Sequence, residues 1–179
     1  MRGRLTVRKV ITAGSGIVLT GLALSSAAYA ISSATFRYST PQTGFLMIPA
    51  AAFVPETETV VYHSGTELTT TGFGCFYAPV NLPHGAKMTS IAMWYRKNDA
   101  VQSGGQFLRK PVIGFPIIIA NLVSANTNGE EKSFAVSITD PSFQLVNNVR
   151  YTYSIFRCLS DAESFVGARI TYSYTTAGD

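Results

Sequence analysis

The chain has 179 residues with 14 Lys+Arg, 10 Asp+Glu and 2 His, and it is 46% hydrophobic, 12% aromatic and 13% charged. That balance excludes a disordered tail and argues against a helical bundle, and it suits a compact β protein. Arg2, Arg4, Arg8 and Lys9 crowd the first residues, so the rest of the chain carries as many basic as acidic side chains. The overall excess of +4 is therefore no argument for a polyanionic partner, and nucleic-acid binding is not expected.

Those four cations precede a mostly apolar stretch, Ile17 to Leu24, and then Ala28-Tyr29-Ala30. The pattern is that of an export signal over residues 1–30 cleaved after Ala30, because the apolar stretch falls short of the roughly 20 residues that cross a bilayer. Ile31 stands where a lipoprotein requires Cys. The expected product is secreted, extracellular or periplasmic, and no membrane association is expected after cleavage.

Residues 31–44 are polar around Pro41 and read as a flexible N-terminal segment; residues 45–179 have a length suited to a single domain. Within it, Gly, Pro and Asn separate short β-branched and aromatic segments. Val60 to Ser64 opens the series, and Gly74 to Pro79 holds Cys75 beside Phe76 and Tyr77. Lys87 to Arg96 alternates, with Ile91, Met93 and Tyr95 facing one way and Ser90, Ala92, Trp94 and Arg96 the other.

Phe107 to Ser124 is interrupted by Pro111, Gly114 and Pro116, which predicts either two short edge segments or a bulged strand before a strand over Ile117 to Val123. Asn126 to Gly129 is a turn. Lys132 to Thr139 is a half-buried strand with Phe134, Val136 and Ile138 on one face, and Asp140-Pro141 ends it. In Arg150 to Cys158 the residues Tyr151, Tyr153 and Ile155 share one face, with Phe156 and Cys158 on the other. Val166 to Tyr174 closes the series with Ala168, Ile170, Tyr172 and Tyr174 aligned. About eight strands with short connections predict an all-β antiparallel sandwich of jelly-roll or Greek-key type.

Cys75 and Cys158, in an exported chain, are expected to form one disulfide that clips the stacked layers together. Two cysteines and two separated histidines show no metal-ligand spacing, so no metal is expected, and nothing calls for a cofactor.

Three segments together resemble a group of secreted, largely uncharacterised bacterial β-sandwich proteins. They are Ile48 to Pro55, then Ala78-Pro79-Val80-Asn81-Leu82-Pro83-His84-Gly85-Ala86 with Lys87 to Ser90, and Val166 to Tyr172. The middle one carries an Ala-Pro-Val-x-Leu-Pro-x-Gly-Ala motif; the Asp-Asn usual after it is reversed here as Asn98-Asp99. The resemblance implies export and a sandwich fold, and it brings no activity or ligand. Read alone, Pro83 and Gly85 are turn residues, with His84 at the tip.

No Gly-x-Ser-x-Gly, Ser-x-x-Lys or His-Glu-x-x-His pattern occurs, so the chain is read as non-catalytic. A glycosidase needs only two facing carboxylates and stays open from sequence. Gly72-Phe73-Gly74 and Gly104-Gly105 read as loop glycines. The leading reading is a secreted surface or structural interaction protein, with a carbohydrate-binding module as the alternative. The sequence does not identify the partner; a glycan and a second copy of the chain are the candidates. Trp94 and Tyr95 are the ligand-binding candidates, provided that they lie exposed with other aromatics in one plane.

Overall fold

The computed structural model describes residues 36–58, 60–99 and 103–177. The proposed export signal and residues 31–35 lie outside the described residues. Tyr38–Thr175 forms one compact unit, and the strand ends Phe36–Arg37 and Thr176–Ala177 fall outside it. Eleven strands are described: β1 (Phe36–Pro49), β2 (Val54–Pro55), β3 (Tyr62–Ser64), β4 (Leu68–Thr70), β5 (Gly74–Val80), β6 (Lys87–Lys97), β7 (Ser103–Pro111), β8 (Ile117–Ser124), β9 (Lys132–Ser137), β10 (Tyr151–Leu159) and β11 (Glu163–Ala177). One short α-helix, α1 (Pro141–Gln144), and one 3-10 turn, Ala50–Ala52, interrupt them.

The strands form two antiparallel sheets. The six-stranded sheet runs β3-β4-β11-β6-β9, with β1 also paired to β11, and the five-stranded sheet runs β2-β5-β10-β7-β8. From β5 onward the chain passes repeatedly between the layers, the jelly-roll manner of stacking sheets. The alternations expected of β6, β9, β10 and β11 are present. Ile91, Met93, Tyr153, Ile155, Ala168 and Ile170 turn inward and are buried, meeting Phe76, Phe107 and Leu122 in one core.

Local chemistry explains several features. The Gly85 backbone takes φ +77, which Gly alone adopts freely, and its N–H reaches Val146 O at 2.9 Å. The interrupted segment resolves into β7, bulged between Phe107 and Leu108, and β8; the bulged strand is interior, between β10 and β8. Asp140 caps α1 by accepting from Ser142 N at 2.8 Å, with Pro141 in the first turn. Hydrogen bonds from Ser142, aided by the charge of Arg109, hold that carboxyl below the usual range.

Three expectations are corrected. Residues 36–44, read as flexible, form the first part of β1, whose pairing to β11 supplies what their polar composition does not. Gly104-Gly105 lie inside β7, where Gly105 opposes Arg157 and a side chain would strike Phe156 O at 2.8 Å. Cys75 and Cys158 do form the disulfide, but they are directly opposed on neighbouring strands β5 and β10. The bridge therefore staples one sheet on its outer face and does not join the layers.

The layers are joined by charge as well as by the apolar core. Arg157 of the five-stranded sheet points inward, in step with Tyr153 and Ile155, and meets Glu163 of the six-stranded sheet. Glu163 also accepts from Ser103 Oγ and lies 3.7 Å from Lys97 Nζ, which is 2.8 Å from Asp99. Arg157 donates to Ser124 Oγ at 2.9 Å. Burial pushes the Arg157 guanidinium below its ordinary value, and Glu163 opposes that shift.

Candidate functional site

The outer face of the five-stranded sheet carries the chemistry best suited to a ligand. Strand alternation puts one residue of each strand in register there: Val54 opposes Tyr77, Tyr77 opposes Phe156, Phe156 opposes Gln106, and Gln106 opposes Asn121. This row crosses all five strands, and with neighbouring strands ~4.8 Å apart it is about 19 Å long. The Tyr77 and Phe156 rings stack with centroids 4.7 Å apart, giving an apolar half, while the two amides give a hydrogen-bonding half.

Beside the row, Cys158, Gly104 and Val123 line a groove of about 480 Å³ whose wall is completed by Phe73, 71% exposed. Gly104 keeps the groove open: a Cβ there would meet nothing nearer than Leu122 O at 4.0 Å. The lining residues carry no charge. Burial, then the charge of Glu56, raises the Tyr77 phenol above its usual value, so it stays protonated and can both donate and accept.

Trp94 and Tyr95, adjacent in β6, necessarily face opposite sides. Tyr95 is 4% exposed in the core, where its hydroxyl accepts from Ala125 N at 3.1 Å, so burial removes it as a ligand contact. Trp94 lies on the outer face of the other sheet, half-buried under Arg169, which sits 5.3 Å from its ring and 5.2 Å from that of Phe45. Tyr153, Tyr172 and Tyr174 pack on or against the core, so the plane of Trp94 and tyrosines does not form. His84 Nδ1 accepts from Asn148 N at 3.1 Å, and His63 is exposed on β3.

Gln106, Asn121 and Gly104 escape a reading of the sequence because amides and glycines in a strand carry no motif. The available signal is the alternation of β10, which already places Phe156 with Cys158 on the outward face. Among the described residues, no group of three or more His, Cys, Asp or Glu is placed to hold a metal ion.

No family model and no curated protein matches the chain. Among solved structures it is similar to the C-terminal family 6 carbohydrate-binding module of the marine laminarinase LamC from Zobellia galactanivorans, at 15% identity over 72% of this chain and 99% of that one, TM-score 0.48. A xylan-binding module of family 15 is 11% identical over 73% of this chain and 97% of that one, TM-score 0.47. The coat protein of Tobacco streak virus is 12% identical over 74% and 87%, TM-score 0.40.

Proposed function

We propose that the protein is a secreted, non-catalytic binding module for neutral glycans, with the groove over the five-stranded sheet as its site. The observation that carries this reading is the row Tyr77-Phe156-Gln106-Asn121 beside an uncharged groove. Sugar rings present apolar C–H faces to stacked aromatics and hydroxyls to amides, and an uncharged lining selects against acidic ligands. Glycoside hydrolysis needs two carboxylates flanking the bond, and the lining of this groove contains neither Asp nor Glu.

The test is a panel of soluble neutral polysaccharides (β-glucan, xylan and mannan) followed by isothermal titration of any that bind. Gly104→Leu fills the groove without a backbone clash and Gln106→Ala removes one amide. Binding in the wild type that falls at least tenfold in Gly104→Leu supports the reading. Binding to none of the panel, or binding indifferent to both substitutions, overturns it.

A further inference from the structure

The charged side chains are sorted between the two ends of the sandwich. The end formed by the β7–β8 turn and the start of β10 carries Lys87, Arg109, Lys110 and Arg150 against Asp140 alone among the described residues. Arg109 is packed between Phe143 and Tyr151, at 4.5 and 4.7 Å, and Asp140 is spent on its cap, which leaves Lys110 and Arg150 exposed. The opposite end exposes Glu56, Glu58, Glu130, Glu131 and Asp161. Of its cations, Arg96, Lys97 and Arg157 are engaged by carboxylates, Glu131 among them, and Lys132 is exposed, so the exposed groups at this end remain mostly acidic.

Apolar side chains are exposed at both ends as well. The β7–β8 turn is Val112-Ile113-Gly114-Phe115-Pro116, where Val112, Ile113 and Phe115 are 81%, 91% and 89% exposed, and Val149 beside it is 79% exposed. Gly114 takes φ +126, which shapes the turn so that the two large residues flanking it project. At the acidic end, clear of the groove, Val61 and Tyr62 are exposed. Large apolar groups this bare on a β protein mark a docking surface.

We propose that the protein associates head to tail with further copies of itself, the apolar, basic turn of one copy seated on the acidic end of the next. The occupant is a second copy because the complement in both charge and apolar character lies on the same molecule, about 30 Å away along β10 at ~3.3 Å per residue. An anionic bilayer would match the basic turn and leave the acidic, apolar end without a role. Two different surfaces in contact make a heterologous interface, which propagates into a ring or filament instead of closing as a twofold dimer.

Sedimentation velocity of the exported form, leader removed, tests this with two blocked variants. Ile113→Asp/Phe115→Asp spoils the turn; Glu58→Lys/Val61→Lys/Glu130→Lys spoils the acidic end. All five side chains are solvent-exposed, and none lines the glycan groove, so polysaccharide binding should persist in both and failure of one reading is separable from failure of the other. The wild type should form concentration-dependent species larger than dimers, weakened as salt is raised. Each variant alone should be monomeric, and an equimolar mixture should give a heterodimer and nothing larger. A wild type that stays monomeric at millimolar concentration, variants that still self-associate, or a mixture that does not pair overturns the proposal. So does a monomeric wild type whose turn instead binds phosphatidylglycerol vesicles.

Discussion

Glu163→Gln tests the ionic bridge between the layers. The side chains of Lys97, Arg157 and Glu163 are 0% exposed, so the substitution leaves a desolvated guanidinium facing an amide. Two unit charges 4 Å apart interact by about 4 kcal/mol at an effective dielectric of 20, and breaking a buried pair by removing one partner costs roughly 3–5 kcal/mol. For a domain of this size each kcal/mol moves the midpoint by about 2–4 °C, so a fall on the order of 10 °C is expected. The assay is thermal unfolding by circular dichroism, with Arg157→Met and the Arg157→Met/Glu163→Gln pair completing a cycle. Lys97 keeps Asp99 and Ser160 in the double variant, which should therefore lose at least ~2 kcal/mol less than the two single losses combined. A Glu163→Gln midpoint within about 1 °C of wild type, or losses that simply add, would refute this account of the cluster.

Reducing the disulfide opens a loop with a sequence separation of 83, and the chain-entropy model puts the stability loss at about 4.5 kcal/mol; urea unfolding with and without dithiothreitol should show it, and an unchanged midpoint would contradict it. Gly167→Ala should destabilise by roughly 1–3 kcal/mol, since Gly167 holds φ +157 at the bulge of β11 and a Cβ would lie 2.8 Å from Ile48 O; equal thermal midpoints would show that β1 yields without cost. The Asp140 carboxyl should titrate below ordinary carboxylates in a carbon-detected NMR pH series. Because its folded value is depressed, the stability from the cap is present above the unfolded value and lost as pH falls through the folded one; an unshifted Asp140 would be the contrary result.

How far the sequence reveals this molecule depends on which signal a residue carries. Alternation within β6, β9, β10 and β11 fixes which side chains are core, because burying one face of a pleated strand forces a period of two. β1, β2 and β4 are not legible, being short, or polar and held by a neighbour rather than by their own pattern. A strand count taken from the sequence falls short for the same reason. The site is half legible: Phe156 sits on the outward face that alternation assigns, but Gln106 and Asn121, 15 positions apart in sequence, join its row only through register. Trp94 stands out in the sequence as a rare aromatic, and Arg169, remote in sequence, covers it.

The same distinction applies to the cysteines. Pairing follows from an even count in an oxidising compartment, but which elements the bond joins follows from register, and Cys158 lies on the outward face with Phe156. A crosslink there cannot reach the other sheet. The residue beside it, Arg157, takes the inward face, and three of the crossings at that end of the sandwich (β6 to β7, β8 to β9 and β10 to β11) terminate around it: Lys97 and Ser103 flank the first, Ser124 begins the second, Glu163 ends the third. Ionic pairing therefore fixes these three crossings, so loss of Glu163 should loosen them while the disulfide stays intact. Hydrogen exchange in the Glu163→Gln variant should rise first at the inter-sheet ends of β6, β8 and β11 and last across the β5–β10 ladder that the disulfide staples; uniform acceleration throughout both sheets would show that the ionic cluster has no local role.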